Sequence, residues 1–347
     1  QKPGWWLAVG LFAGLGLTSK YSVLFLGAGI VLWLLLVPSA RKWLASWQLW
    51  AGGALALLVF APVLYWNHLH DWASFYKQFG RAGRGGWTSK YIFEFIGAVL
   101  GLANPLIAVP AAFGAAALGR KAWRSDGTAA LLILTVLPFL IYLLFHSLHA
   151  RVQANWPAPL FPAFALMAAV FVEGAGRTFW RALSLAGVMI GIAIAIVVQI
   201  HAVSPLSGTL ARKDPTFQLR GWPEIGERIA GIAETEGAAY VATTGYGLNG
   251  QLAFLLKNAL PVLQLNERIR YVMQSPPDAA LFDGRGLYVS EERRDNSQRL
   301  AEIFRIVRPV AVLPRTVKGV FLENLVVYVV EDPLSSPLQP VQDGQNN

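Results

Sequence analysis

The amino-acid sequence predicts a polytopic α-helical membrane protein with about seven spans and a C-terminal soluble α/β domain. Three observations predict this class. Of the 347 residues, 55% are hydrophobic and 14% are charged, whereas soluble domains carry about 25% charged residues. Apolar runs of roughly span length recur as far as about His201. Beyond it charged residues become frequent, and short apolar strand patterns alternate with helical ones, as in a small, partly parallel sheet.

The spans are predicted from apolar runs, since a spanning helix needs about 20 mostly apolar residues. The first two runs are separated only by Ser19 and Lys20, so they form either a tight hairpin or one long bent segment. The fourth contains Asn104, Pro105 and Pro110, which predicts a kink. The seven runs are Trp5–Thr18, Tyr21–Val37, Leu49–Tyr65, Ile92–Leu118, Ala129–Phe145, Ala158–Val172 and Ala182–Ile200.

Lysine and arginine in the short loops predict the orientation of a multi-pass membrane protein. The intervening loops and everything after His201 are then extracytoplasmic. One outer loop, Trp66–Tyr91, breaks the rule because it is itself basic, and anion binding would explain that charge. The loops predicted to be cytoplasmic carry Arg41 with Lys42, Arg120 with Lys121 and Arg124, and Arg177 with Arg181.

The predicted domains are a membrane part at 1–203, an extracytoplasmic α/β domain at 204–333 and a disordered tail at 334–347, which is rich in Ser, Pro, Gln and Asn. The turn TTGYGLNG at 243–250 is interpreted as a structural glycine-rich turn, because its spacing is not that of a dinucleotide-binding fingerprint. The predicted strands are Ala239–Thr243, Val262–Leu265, Leu287–Ser290, Val310–Leu313 and Val326–Val330. The predicted helices are Gly221–Glu234, Leu248–Lys257 and Ser297–Val307.

Composition argues against several kinds of partner. The net charge of +9 is scattered among apolar spans, so we expect contact with membrane lipids rather than nucleic acid. There is no cysteine, which excludes disulfides and thiolate metal sites. His68, His70, His146 and His149 fall in two outer loops without a supporting carboxylate pattern. A divalent metal is therefore conceivable but unsupported, and no cofactor is required.

Cationic side chains near the outer surface are candidates for holding a phosphate. Lys20 lies between two apolar runs, where it either binds a phosphate or extends its ammonium group to the interface. Arg81 and Arg84 flank Ala82 and Gly83 and precede two more glycines. Arginine forks suit phosphate oxygens, and glycines let backbone N–H groups approach an anion. The alternative for this segment is a loop that touches lipid headgroups.

Polar and aromatic residues of two outer loops are the other candidates. Asn67, His70, Asp71, Trp72 and Ser74 follow directly after a span, although the tryptophans alone would also suit the interfacial belt. Neither outer carboxylate, Asp71 or Glu94, is assigned as a catalytic base, because Glu94 also suits a pair with Lys90. The next outer loop, predicted to face the first, carries His149, Arg151, Asn155 and Trp156.

Four stretches resemble bacterial members of glycosyltransferase family 39, the dolichyl-phosphate-mannose–protein mannosyltransferase-like enzymes, among whose relatives is the lipid A aminoarabinose transferase. They are LTSKY at 17–21, PVLYWNHLHDWASF at 62–75, ANWPAP at 154–159 and GWPEI at 221–225. The second and third stretches are fairly specific, and the other two are generic.

The resemblance implies a GT-C-type enzyme that moves a sugar from a polyprenyl-phosphate donor to a lipid, glycan or protein acceptor at the outer leaflet, with inversion. Lys20, Arg81 and Arg84 match the cations that hold the donor phosphate, with Arg151 as a weaker match. Asn67, His70, Trp72, Asn155 and Trp156 would line the sugar or acceptor pocket. The family's acidic first loop would lie upstream of Gln1, so the catalytic base is unknown and we expect the chain as given to be an inactive fragment.

Two other functions compete with the transferase. A transporter or flippase for an anionic lipid or glycan should show broken helices in paired repeats with polar groups at mid-membrane. A non-catalytic assembly protein would tolerate loss of Arg81 and Arg84. The polar residues cluster at one face and the span centres are mostly apolar, which favours the transferase.

Overall fold

The computed structural model describes residues 2–79, 86–205, 214, 216–257, 259–295 and 297–340. The chain divides into two compact units, residues 1–196 and residues 197–347. The first unit is helical, and the second is built around a β-sheet.

Nine helices are described from the start of the chain to residue 203. Four of them, together with a broken pair, are long and apolar enough to cross a membrane. They are α1 (Trp5–Ser19), α2 (Val23–Leu36), α3 (Trp47–Leu69), α4 (Ala73–Phe79), α5 (Lys90–Leu102), α6 (Pro105–Trp123), α7 (Gly127–Ser147), α8 (Phe161–Ala175) and α9 (Thr178–Val203). A short 3₁₀ turn at Ala158–Leu160 precedes α8.

The membrane-spanning character is confirmed, but seven spans are not: among the described residues, four helices, or five if the bent pair counts as one span, are long and apolar enough. The helices α1 and α2 are apolar and separate, with Lys20 extended between them. They have 15 and 14 residues, so each is about 21–22 Å long at 1.5 Å per residue. A bilayer core is about 30 Å thick. Because the extended Lys20 interrupts the helix, the two runs do not form one continuous helix.

The predicted kink is confirmed as a 106° bend between α5 and α6. Asn104 sits at the bend with φ of 61°. Its side-chain oxygen accepts from the backbone N–H of Leu106, and its amide donates to the carbonyl of Gly187 at 2.7 Å. Pro105 begins α6, where its missing N–H costs nothing. The bend thus has a local cause and a partner on α9.

The helices of the first unit cross at glycines. A Cβ at Gly52 of α3 would overlap the carbonyl oxygen of Trp6 in α1, and one at Gly29 of α2 would overlap that of Leu134 in α7. Gly114 of α6 meets α8 in the same way. Such close backbone approach is typical of membrane helices, where small residues replace the hydrophobic driving force.

The pair α2 and α7 is antiparallel, which places its ends. Phe25, near the start of α2, stacks with Phe139 at 5.1 Å and contacts Tyr142 at 4.8 Å, both late in α7. Trp33, near the end of α2, donates to the carbonyl of Gly127 at the start of α7. The residues just before α2 and those just after α7 therefore lie at the same end of the helices.

The second unit contains a mixed five-stranded sheet of order β2-β1-β3-β5-β4. The strands β2, β1 and β3 are parallel, and β3, β5 and β4 pair antiparallel, so the expected partly parallel sheet is confirmed. The strands are β1 (Tyr240–Thr243), β2 (Val262–Gln264), β3 (Gly286–Glu291), β4 (Phe304–Val317) and β5 (Val320–Pro333). The helices are α10 (Trp222–Glu236), α11 (Tyr246–Leu255) and α12 (Ser297–Ile303).

Two features of this unit differ from the sequence-based expectation. The helix predicted at Ser297–Val307 ends at Ile303. Phe304 begins β4, where it pairs with Pro333 of β5 and its side chain is fully buried. In the predicted tail, Leu338 packs against the core, and the N–H of Gln339 donates to the carbonyl of Leu265. Pro337, Leu338 and Gln339 are therefore packed, Ser335 and Ser336 are exposed, and 341–347 lie outside the described residues.

Candidate functional site

The outer-loop residues singled out from the sequence meet at one end of the first unit. The hydroxyl of Tyr21, just before α2, lies 2.6 Å from that of Ser74 in α4. The N–H of Thr88 donates to the carbonyl of Leu148 at 2.8 Å. Described residues of three separate connections, at 19–22, at 67–79 with 86–89, and at 148–156, thus converge where the apolar helices end.

Asn67 organises the first part of this end. Its side chain is fully buried, and its oxygen accepts from the hydroxyl of Ser74 at 2.6 Å. Its amide donates to the carbonyl of Val63 at 2.9 Å and to the hydroxyl of Tyr21 at 3.5 Å. A buried amide with every group bonded fixes its neighbours firmly. Asn67, predicted among the pocket residues, therefore acts from beneath the surface as a positioning residue.

The turn after α3 is held by the same residue. The backbone carbonyl of Asn67 accepts from the N–H of His70 at 3.1 Å and from that of Trp72 at 2.8 Å. The His70 ring stacks on Trp66 at 4.2 Å, and its Nδ1 lies 2.7 Å from the carbonyl oxygen of Trp66. Asp71 and Trp72 are exposed at the tip of the turn, which we call the Asp71–Trp72 turn.

The second part of this end is built on the loop after α7. Arg151 pairs with Glu94 at 2.8 Å, and both side chains are largely exposed. The ring of Trp156 lies 5.1 Å from that of His146, which is buried. Asn155 is exposed beside it. Glu94 pairs with Arg151 rather than with Lys90, the alternative considered from the sequence. The carboxylate of Glu94 therefore partly neutralises the charge of Arg151.

A chain of aromatic contacts joins the two parts. Phe25 follows Tyr21 by one turn of α2 and contacts Tyr142. The Tyr142 ring lies 6.0 Å from His146, which in turn meets Trp156. The two loops are therefore linked through packed aromatic rings beneath them, although the hydrogen-bonded network itself involves only the first part.

The predicted cations differ in what the structure says of them. Lys20 is exposed, and its backbone N–H closes α1 by donating to the carbonyl of Gly16. It directly precedes Tyr21, which bonds the Ser74 and Asn67 network. Arg81 and Arg84 lie outside the described residues. Of the predicted phosphate ligands, Lys20 is therefore the one that lies next to the Tyr21, Ser74 and Asn67 network. Among the described residues it has no carboxylate partner.

Sequence reasoning did not single out Tyr21 as a site residue, although it stands inside the LTSKY stretch. Its ring stacks on Phe75 at 5.1 Å and meets Phe60 edge-on at 6.1 Å. A tyrosine next to an exposed lysine at a span end was the available signal, but the same pattern serves the interfacial belt. Only the contact with Ser74 distinguishes the two roles.

The arrangement offers defined chemistry. It combines a cation at Lys20, an exposed carboxylate at Asp71 and aromatic rings at Trp66 and Trp72, all at the ends of apolar helices. Within the described ranges, no group of three or more His, Asp or Glu side chains gathers at one point. Such a surface suits a ligand with a charged phosphate, a hydroxyl-bearing ring and a lipid tail.

Comparison with known proteins points in the same direction. A family described as dolichyl-phosphate-mannose-protein mannosyltransferase matches residues 1–66. The lipid A galacturonosyltransferase RgtD of Rhizobium johnstonii is 25% identical over 256 residues, which cover 73% of this chain and 52% of that protein. The chain thus spans about half the length of the curated relative it matches. No solved structure matches the chain.

Proposed function

We propose that this chain, a relative of the GT-C glycosyltransferases, is part of an enzyme that moves a sugar from a polyprenyl-phosphate donor to an acceptor at the outer leaflet of a bacterial inner membrane. The observation that carries the proposal is the bond between Tyr21 and Ser74. It joins the lysine-bearing end of α1 to the polar turn after α3 at the membrane surface. The named relative acts on lipid A, so a lipid acceptor and a hexuronosyl donor are the first substrates to test.

The reaction is a displacement at the sugar C1 carbon. An acceptor hydroxyl oxygen forms the new bond to C1, while the bond from C1 to the phosphate oxygen breaks and its electron pair stays on the phosphate. The acceptor proton passes to a base that we assign to no residue of this chain. Lys20, Arg81 and Arg84 neutralise the growing charge on the leaving phosphate, where fixed cations stabilise the transition state most effectively. Arg151 contributes less because Glu94 pairs with it.

The remaining predicted residues shape the pocket. His70, Trp72, Asn155 and Trp156 present rings and amides at the same end, and aromatic rings suit the apolar faces of sugars. The α/β domain at 204–333 is proposed to be extracytoplasmic. It would then lie in the compartment where transfer takes place.

One observation favours the alternative of a transporter or flippase. The bend of 106° between α5 and α6 is a broken span, and broken helices are typical of transporters. Asn104 nevertheless satisfies the bend locally through Leu106 and Gly187. The bend therefore has a structural reason that needs no transported ligand.

The test uses the full protein in proteoliposomes with polyprenyl-phosphate-linked galacturonate as donor and lipid A as acceptor, and product is measured by mass spectrometry. We expect transfer by the parent protein and a loss on the order of 100-fold in Lys20→Ala, the scale typical of removing one stabilising charge or donor. The double variant Arg81→Ala, Arg84→Ala should lose as much. Lys121→Ala, an exposed lysine in a loop predicted to be cytoplasmic, is the matched control.

Other outcomes separate the alternatives. Movement of the donor across the bilayer without product would establish the flippase. Full activity of Lys20→Ala and of the double arginine variant would remove the phosphate role of these residues.

A further inference from the structure

The Asp71–Trp72 turn has an unusual backbone. Asp71 has φ of 51° and Trp72 has φ of 56°, and neither residue is glycine. For a bulky residue such as tryptophan this left-handed conformation is an outlier. Two in succession persist only where the surroundings determine them, and such strain clusters at functional sites.

The surroundings that impose the turn are visible. The buried Asn67 binds the backbone N–H groups of His70 and Trp72 through its carbonyl oxygen. Its side-chain oxygen accepts from the hydroxyl of Ser74, which lies beyond the turn in α4. The N–H of Ala73 donates to the carbonyl of His70 at 3.0 Å. The turn is therefore fixed on both sides of its two strained residues.

Burial of these two side chains does not offset the backbone strain. Trp72 is 43% exposed, and its described ring contact is an edge-on approach to Phe75 at 5.6 Å. Asp71 is exposed and forms no ion pair with any residue that the structure describes. A glycine at either position would adopt the same backbone without steric strain. The interfacial belt would account for a tryptophan alone, but the packing of the described residues gives no reason for an aspartate followed by a tryptophan in this strained turn.

We infer that Asp71 and Trp72 together bind a neutral pyranose ring of the acceptor, a role that rests on the proposed transferase function. The indole of Trp72 stacks on the apolar C–H face of the ring, and the Asp71 carboxylate accepts hydrogen bonds from two ring hydroxyls. The donor sugar is joined to a phosphate, whose charge the carboxylate repels, so the acceptor is the better match. For the same reason the turn prefers a neutral sugar to a uronate.

The experiment measures saturation-transfer difference NMR of methyl α-D-galactopyranoside with the full protein in lipid nanodiscs. We expect transfer of saturation to the sugar C–H protons from the parent protein and at least tenfold less with D-galacturonate. Trp72→Gly should abolish the signal, and Asp71→Gly should reduce it at least tenfold. Both variants should melt at a higher temperature than the parent, because glycine relieves the strain.

Two controls keep the result interpretable. Trp123→Ala removes a tryptophan that is 92% exposed at the C-terminal end of α6 and should leave the signal unchanged. Asp71→Asn keeps the size of the side chain and tolerates the left-handed backbone, so it tests the charge if the glycine variant does not fold.

Several results would overturn the inference. They are a signal that survives Trp72→Gly, equal binding of galacturonate, or glycine variants that melt below the parent. Since the binding assay requires no transfer, a parent that binds the sugar here but makes no product in the transfer assay would contradict the proposed function and leave only sugar binding at the turn.

Discussion

Tyr240 shows how a single buried group controls the stability of the sheet unit. Its ring lies against Gly286 of the neighbouring strand and is fully buried. None of the described residues bonds its hydroxyl. Burial raises the pKa of Tyr240 from 10.0 to about 12, because the charged phenolate is disfavoured in an apolar core.

This shift predicts a loss of stability at alkaline pH. Below pH 10 both folded and unfolded states keep the proton, so the contribution is constant. Between pH 10 and pH 12 the unfolded state releases the proton and the folded state retains it, so the free energy of unfolding falls by roughly 2–3 kcal/mol. Hydrogen–deuterium exchange of the β1 and β3 amides, corrected for intrinsic rates, measures this fall.

The Tyr240→Phe variant isolates the effect from other tyrosines. It removes a buried hydroxyl that has no described partner, so at neutral pH we expect stability equal to the parent or greater. The difference between variant and parent should widen from pH 10 to pH 12. Parallel pH profiles for the two proteins would contradict the assignment.

Arg315 is a second residue on which the sheet unit depends. Its side chain is completely buried, and Nη2 lies 2.7 Å from Glu323. Nη1 donates to the carbonyl oxygens of Arg220 at 2.6 Å and Gln218 at 3.3 Å. The guanidinium stacks on Trp222 at 4.3 Å. One arginine thus fastens the GWPEI stretch to the β4–β5 hairpin.

We predict that Arg315→Leu destabilises the sheet unit by about 3–5 kcal/mol, since it leaves the Glu323 carboxylate without its buried partner. The free energy of unfolding is measured on the full protein in increasing urea, with cleavage by a protease within the sheet unit as the readout of unfolding. Arg293→Ala is the control, because that arginine is 66% exposed and exposed pairs contribute about 0–1 kcal/mol. Equal effects of the two substitutions would contradict the role of Arg315.

At the scale of helices, the glycine crossings can be tested with adjacent residues. Gly52 and Gly53 are neighbours in α3, but a Cβ at Gly52 would overlap Trp6 whereas one at Gly53 meets nothing within 4 Å. Gly52→Ala should therefore separate α1 from α3 and lower the thermal stability of the membrane unit. Gly53→Ala should equal or exceed the parent. Melting curves in detergent that do not separate the variants would exclude tight packing at this crossing.

The elements also show which structural features are local enough to be predicted. Apolar runs predicted α3, α7 and α9, because span length and composition are properties of the segment itself. The end of α12 was predicted four residues too late. The strand β4 begins at Phe304 because it pairs there with Pro333 of β5, and a pattern read over a short window of sequence does not include that partner. The helix α4 lay inside a predicted loop for a similar reason, since Tyr21, in the turn before α2, contacts it from a distant part of the chain.

The candidate site divides along the same line. Sequence reasoning predicted His70 and Trp72 because polar and aromatic residues are dense after a span. It did not predict that Asn67 is buried or that Asp71 is strained, because both follow from contacts between helices. The phosphate-binding role of Arg81 and Arg84 remains a prediction, since those residues lie outside the described ranges.

For the whole molecule, composition separated the membrane part from the sheet part, because a change in charged fraction is visible without any contact. Orientation rests on a different signal, the lysines and arginines of alternate loops. The helix contacts agree on which loops share an end: Tyr21 meets Ser74, and Trp33 meets Gly127 at the opposite end. They do not say which end faces the cytoplasm, so orientation requires its own experiment.

Labelling of single cysteines in the full protein tests the proposed orientation, and this chain contributes no cysteine of its own. Ser89→Cys and Ser39→Cys are isosteric changes at exposed positions at opposite ends of the membrane unit, and Ser335→Cys reports on the exposed surface of the sheet unit. In intact spheroplasts a membrane-impermeant maleimide should label Ser89→Cys and Ser335→Cys but label Ser39→Cys only after lysis. Labelling of Ser39→Cys alone in intact cells would invert the topology and place Lys20 and the Asp71–Trp72 turn in the cytoplasm, where an outer-leaflet acceptor could not reach them.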